Sequence, residues 1–305
     1  MLHLVTPKLE RPENKALRLD RDAWLAEIGI SQRTETNYRA ATDQLLRFLT
    51  ESGNTLDRLS AKAFRVHLAG KGLRASTQRS TLTIVKIFSK WRFEARGIPN
   101  AMALVIPPKC DKNFTKRALT KAEALKLVAA TKKISLRDRA IVLLAMVCGL
   151  RTIEIARANR EDVSQIRTFD VLYVHGKGRA DKSEFVVLPK EVRLVIDQLA
   201  ASHDEEALFI SESLRNPLQR LETQTISKMV KKLLRSIGID EEGVTAHSLR
   251  HTAASLALES GVELSLIQSC LRHKSIDTTN RYVHMAAIQK RLENNPESVV
   301  SDLIL

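Results

Sequence analysis

Aromatic residues are scarce in this chain: eight Phe, three Tyr and two Trp among 305 residues. Each tyrosine therefore stands out, and Tyr282 most of all, because it lies in a polar, Thr-rich run rather than among apolar neighbours. Cysteine is rarer still. Cys110, Cys148 and Cys270 are odd in number and widely spaced, which fits neither a disulfide framework nor a zinc knuckle. Three reduced thiols in a cytoplasmic protein are expected. Long apolar runs are missing too. No stretch approaches the ~20 residues of a membrane span, and MLHLVTPKLERPENK lacks the sustained apolar core of a signal peptide. There is no P-loop and no acidic metal-binding cluster. The expectation is no membrane, no nucleotide, no metal and no other cofactor.

Acidic residues are nearly absent from one region. Between positions 58 and 96 there are ten Lys and Arg but a single acid, Glu94. The whole chain carries a formal net charge of +14. A merely soluble surface mixes both signs, so this imbalance points to a polyanionic partner.

The length suggests two domains, and 44% hydrophobic residues suffice for their cores. Ser31 is placed to cap a helix through TETNYRAATDQLLRFLTESG, closed by Gly53. A second helix fits Ser60 to Ala69, and a third runs from about Ser76 to Ala95. On the third, Ile84, Phe88, Trp91 and Ala95 form an expected apolar stripe. Arg79, Thr83, Lys86 and Lys90 form a polar, mainly basic one at spacings of three and four. Arg79, Lys86 and Lys90 are the candidate phosphate contacts. PPKCDKNFTK reads as a linker over 107–116. It separates a helical N-terminal domain, 1–106, from a second domain, 117–305. In the latter, Thr120 and Glu123 have capping-box spacing, and RDRAIVLLAMVCGL is a buried helix stopped by Gly149. FDVLYVHGKGRADKSEFVVLP reads as a β-hairpin, and helices resume from about Lys190. The fold class is mainly α with one small sheet.

Four segments of the second domain carry chemistry-bearing side chains. GLRTIEIA holds Arg151 and, three residues on, Glu154. HGKGRADK sets Lys177 between glycines in the hairpin turn. TAHSLRHTAAS puts His247, Arg250 and His251 at a helix start, with Thr245 as the expected cap. LRHKSIDTTNRYVH supplies His273 and Tyr282. Breaking a phosphodiester needs a nucleophile, donors for the non-bridging oxygens and an acid for the leaving alkoxide. A tyrosine, arginine forks and a lysine suit those three tasks, and a histidine can pass protons. Each residue has an ordinary alternative. Lys177 suits a surface turn, a lone tyrosine is usually a packing residue, and His247 with His251 has i,i+4 metal spacing. The intervening segment lacks the glutamate of the zinc-protease motif, and Arg250 would repel a cation.

Taken together, GLRTIEI, the GKG turn, HSLRHTAAS and LRHKSIDTTNRYVH resemble the tyrosine recombinase (phage integrase) family, in particular its Xer-like members. The family order is Arg, Lys in a β-turn, His-x-x-Arg, His in Leu-Gly-His, and Tyr nine residues later. Arg151, Lys177, His247 with Arg250, His273 and Tyr282 match it in order and spacing. SQRTETNYRAATDQLLRFL and STQRSTLTIVKIFSKWRFEARGIPNAMALVIPPK look like the family's core-binding helical domain. Two departures stand out: Arg272 replaces the glycine of Leu-Gly-His, and Ala101 follows Asn100 where the family has proline.

The resemblance implies a two-domain clamp on DNA, a SAM-like helical core-binding domain followed by a mostly helical catalytic domain. Tyr282 would attack the scissile phosphate and leave a 3′-phosphotyrosyl link. Arg151, Arg250 and His273 would hold the phosphate, Lys177 would protonate the leaving 5′ oxygen, and His247 would serve as acid, base or positioner. Glu154 would orient Arg151. The implied partners are double-stranded DNA with inverted-repeat half-sites and three further copies of the chain, joined through a Holliday junction. The apolar tail, Val299 to Leu305, would pass to a neighbouring copy or dock on its own domain. Arg272 would either alter the loop bearing His273 or touch DNA. Two other readings share these residues. A type IB topoisomerase would use the same chemistry on one site, and a non-catalytic DNA-binding regulator would have the scaffold without the reaction.

Overall fold

The computed structural model describes residues 11–110, 117–175 and 184–272. The chain divides into two compact units, Met1–Asn113 and Phe114–Leu305.

The first unit is helical. Helix α1, Pro12–Glu27, was not evident in the sequence, because charged residues dilute its apolar positions. It starts with proline in the first turn, where the missing N–H is no loss, and it buries Leu17, Trp24 and Leu25. Arg21 is buried with them and pairs with Asp43 and Asp22. Helix α2, Gln32–Ser52, begins at the Ser31 cap and ends at Gly53, whose φ is 67°. Helix α3, Arg58–Gly70, is capped reciprocally by Asp57 and Ser60. Helix α4, Ala75–Arg96, closes at Gly97. The core of this unit joins Trp24, Leu45, Leu49, Phe64, Leu68 and Phe88. Tyr38 stacks on Trp24 with centroids 5.3 Å apart, so it serves packing.

The buried stripe of α4 is Leu82, Val85, Phe88, Ser89 and Arg92. It is rotated from the expected one: Ile84 and Trp91 are only half-buried, and Ala95 is exposed. The rotation follows from Arg92, which turns inward to Asp20 at 2.8 Å. A paired, hydrogen-bonded arginine can occupy an interior position that periodicity of apolar residues does not predict.

The second unit is built around α6, Leu136–Met146, in which every residue from Ala140 to Met146 is buried. Before it lies α5, Lys121–Thr131, with the expected Thr120–Glu123 capping box. Arg117 grips Glu123 and Glu241 together and holds the Glu123 carboxyl down at about 2. After it come α7, Thr152–Arg157, and a single 3-10 turn at Arg160–Asp162. The sheet has three antiparallel strands, not two: β1 (Val163–Ile166), β2 (Phe169–Val174) and β3 (Glu184–Val187), in the order β1-β2-β3. Val163 faces Leu172, and Tyr173 faces Phe185. Strand β1 has only four residues and no apolar alternation, which hid it. Tyr173 sits edge-on to Phe185 at 6.2 Å. The remaining helices are α8 (Lys190–Ala200), α9 (Thr223–Ser236), α10 (Ala246–Glu259) and α11 (Leu264–Cys270).

Candidate active site

Gly149 ends the buried run of α6 with φ 64°. A Cβ there would lie 2.5 Å from Leu271 Cδ2. Only glycine allows both the left-handed turn and that approach. The turn delivers Arg151 to the N-cap of α7. Glu154 is then the N3 residue, and its carboxylate reaches back to the Arg151 backbone N–H at 2.8 Å, the geometry of a capping box. The same carboxylate accepts from Arg151 Nη1 at 2.6 Å. The Arg-x-x-Glu spacing therefore does two tasks at once: it starts a helix and fixes a guanidinium.

Arg250 comes from the first turns of α10. The helix begins after Thr245, as expected, but the cap bond runs the other way: Ser248 Oγ accepts from the Thr245 backbone N–H at 3.1 Å. Arg250 is 1% exposed. It donates Nη1 to the Gly149 carbonyl at 2.5 Å and Nη2 to the Leu271 carbonyl, and its charge lies 3.7 Å from Glu154. Arg151 in turn donates Nη2 to the Arg272 carbonyl at 3.2 Å. Two arginines that are 99 positions apart in the chain thus share one carboxylate and clasp consecutive carbonyls of a third segment.

Arg272 completes this arrangement. Its backbone is left-handed, with φ 54°, so the conformation that glycine would favour is kept by an arginine. Its guanidinium does not reach outward. It donates Nη2 to Glu154 at 2.7 Å and Nη1 to the Cys270 carbonyl at 2.7 Å. The sequence offered Arg272 as a change in the loop or as a DNA contact; the tertiary structure makes it a partner of Glu154.

Glu154 is fully buried. Burial pushes its carboxyl upward, but the charge of Arg272, the Arg151 N–H and the remaining arginine contacts outweigh that and hold it below the usual carboxylate range. It is therefore ionised at neutral pH, where it orients its arginine partners. Close by, burial pushes the Cys148 thiol up to about 12 against the pull of Arg272, so this cysteine is an inert packing residue. With one carboxylate against three guanidinium groups, the cluster keeps an excess of positive charge. Arg151 is the accessible member, with 24% of its side chain exposed. Paired arginine forks of this kind suit a phosphodiester oxygen.

His247 is exposed on α10 and stands edge-on to the buried His251, with ring centroids 4.5 Å apart. Lys177, His273 and Tyr282, and the apolar tail, lie outside the described residues.

The basic stripe on α4 is less uniform than its spacing suggests. Arg79 and Lys90 are exposed. Lys86 is half-buried and spends its ammonium on the carbonyls of Val105, at 2.7 Å, and Ala103, at 3.3 Å. Lys86 therefore holds the turn after α4. Arg79 and Lys90 are the exposed cations, Arg79 with a 3.5 Å bond to the Pro108 carbonyl and Lys90 3.5 Å from Glu94. Replacing Arg79 and Lys90 by glutamine is expected to lower the log–log salt slope of DNA binding by roughly one unit per contact. Replacing Lys86 should instead lower the melting temperature with little change in slope. Slopes from binding titrations over a salt series check this; an unchanged slope in the Arg79, Lys90 variant would mean that the stripe meets only solvent.

Known proteins resemble this chain over most of its length. Residues 117–288 match the model of the phage integrase family. Tyrosine recombinase XerA of Pyrococcus furiosus is 30% identical over 85% of this chain and 87% of its own. Tyrosine recombinase XerD of Proteus mirabilis is 30% identical over 86% of each. Among solved structures, a XerH site-specific recombinase in a post-cleavage complex with DNA superposes with TM-score 0.72 at 18% identity, covering 92% of this chain and 82% of its own. A lambda integrase tetramer bound to a Holliday junction gives 0.71 at 20%, covering 88% and 76%. These superpositions establish a common fold. The family match spans more than half of the sequence and contains the whole arginine cluster, so the chain belongs to the phage integrase family, the tyrosine recombinases.

Proposed function

We propose that this chain is a site-specific DNA recombinase that cuts and rejoins duplex DNA through a phosphotyrosyl intermediate. The observation that carries the proposal is the joining of Arg151, Glu154 and Arg250 from two distant segments into one cationic cluster, with Arg151 as its accessible member. We assign Tyr282 as the nucleophile. Its phenol oxygen attacks phosphorus, the new O–P bond forms, and the bond to the 5′ oxygen breaks. Lys177 supplies the proton to that oxygen, and His247 receives the proton of the phenol. Arg151, Arg250 and His273 bear the charge that grows on the non-bridging oxygens. The other two tyrosines support this assignment, since Tyr38 and Tyr173 both pack on aromatic neighbours. The phosphotyrosyl link keeps the ester energy, and attack by the free 5′ hydroxyl of another strand reverses the step.

The domain limits 1–106 and 117–305, with 107–116 as linker, belong to the same reading, as does a clamp of the two domains on DNA. Four copies on two inverted-repeat sites would exchange strands through a Holliday junction, the assembly in which lambda integrase was solved. The described residues include no helix long and apolar enough to cross a membrane; a cytoplasmic location belongs to the recombinase reading. For the tail we assign a neighbouring copy. The receptor in this reading is a groove in which Ala124, Leu125, Val128, Met146, Val147 and Leu256 supply apolar contacts beside Lys121, Glu259 and Ser260.

The test is incubation with duplex DNA carrying half-sites recovered by selection from random sequence. A denaturing gel is expected to show a covalent protein–DNA band, and two-site substrates should give recombinant product. A chain ending at residue 296 should bind a half-site yet lose strand exchange. Adduct without two-site product would assign the topoisomerase reading instead. Absence of any adduct would leave only a DNA-binding regulator.

A further inference from the structure

Arg272 carries two unfavourable features. Its φ of 54° lies in the left-handed region, where a side chain is disfavoured relative to glycine. Its Nε–H is buried without a partner among the described residues, and a buried donor left unmade is destabilising. Neither feature aids an arginine meant for solvent or for DNA, and the side chain is only 4% exposed. What the residue gains is a local bond to the Cys270 carbonyl and, as its one tie to a distant segment, an ion pair with Glu154 Oε2 at 2.7 Å. A strained conformation that persists points to a use for it.

That use follows from what else Glu154 holds. Its Oε1 faces Arg151 Nη1 at 2.6 Å, and its Oε2 meets the Arg151 N–H, Arg272 Nη2 and, at 3.7 Å, Arg250. The carboxylate is fully buried and can orient the phosphate-binding arginines only while ionised. Arg272 is the strongest of the charges keeping it so. The left-handed turn at Arg272 also accompanies the approach of the Leu271 and Arg272 carbonyls to Arg250 and Arg151.

We propose that Arg272 is a positioning residue for strand cleavage, acting through Glu154 to hold Arg151 and Arg250 in phosphate-binding geometry. The proposal rests on the recombinase reading above. Arg272 touches no reacting atom in this scheme; it fixes the carboxylate that fixes the arginines. Its removal should therefore slow the chemical step rather than weaken DNA binding.

The test compares Arg272→Gln and Arg272→Lys with wild type, on a nicked duplex bearing the selected half-sites. The single-turnover rate of covalent adduct formation is measured at saturating DNA from pH 5 to 9, beside the Kd. Arg272→Gln is expected to lose on the order of 10²-fold in rate, the scale of a small misplacement at a reacting centre, with Kd within about twofold of wild type. The sign of the pH effect is fixed. Glu154 is depressed in wild type and stays ionised through the neutral range. Without the Arg272 charge its pKa rises, so the acid limb of the rate profile moves to higher pH. Arg272→Lys retains the charge and should restore the limb. In a Glu154→Gln background the Arg272→Gln change should add little, because its target is gone. Equal rates for wild type and Arg272→Gln across the pH range would overturn the proposal. So would equal losses in both variants with the limb unmoved, which would mark a packing role. If Arg272→Gln fails to fold by circular dichroism, Arg272→Lys and Glu154→Gln decide, since any loss in the lysine variant must then vanish in the Glu154→Gln background. A wild-type chain that forms no adduct overturns the recombinase reading, and this proposal with it.

Discussion

Tyr282→Phe removes one oxygen and is expected to abolish the covalent protein–DNA adduct while leaving DNA affinity within about twofold of wild type. Affinity for DNA rests on cations facing phosphates, and the exposed Arg79, Lys90 and partly exposed Arg151 are untouched by this change. Tyr38 stacks on Trp24 in the first unit, and Tyr173 lies against Phe185 in the sheet. The measurement is a denaturing gel beside a binding titration. An adduct with the phenylalanine chain would remove Tyr282 from the mechanism and send the search to those two residues, each by the same substitution.

Arg250→Ala should be the most damaging single change in the second unit, because it strikes stability and chemistry together. The side chain is buried, and it satisfies the carbonyls of Gly149 and Leu271 as well as facing Glu154. Its removal leaves the buried Gly149 and Leu271 carbonyls without these donors, at a cost of about 1–3 kcal/mol for each buried group, while Glu154 keeps Arg151 and Arg272. The phosphate would also lose one of its guanidinium forks. Chemical denaturation should show a lower midpoint with unchanged slope, and adduct formation should fall below detection. Arg250→Lys keeps the charge but cannot make two directional bonds, so it should recover most of the stability and little of the rate. A wild-type midpoint for Arg250→Ala would show that the buried cluster contributes nothing to the fold. Normal cleavage by that variant would remove Arg250 from the site.

Much of the fold is written locally. Ser31 and Gly53 bound α2, the Thr120–Glu123 pair starts α5, and Gly149 ends the run of α6. Each signal acts within a few residues, so it is readable without knowing what lies across the core. Elements whose residues depend on distant partners were not readable. Helix α1 hides its buried face behind Arg21, which needs Asp43. Strand β1 is paired only because β2 returns beside it. The face of α4 is set by Arg92 reaching Asp20.

The candidate site divides in the same way. The sequence by itself determined the residue types, their order and the family they resemble. Arg151, Lys177, His247, Arg250, His273 and Tyr282 recur in the family's order, and the resemblance implies that Glu154, three residues after Arg151, orients it. Only the tertiary structure decided which cations are exposed and which are buried on the protein's own acceptors. Lys86 has the spacing of a DNA contact but caps main-chain carbonyls. Arg272 looks like an exposed replacement for glycine but is buried on a carboxylate 118 positions earlier in the chain. The physical reason is that charge in a sequence has no direction. A lysine or arginine side chain is long enough to serve either water or the interior, and the choice is made by which unsatisfied acceptors the fold brings within reach.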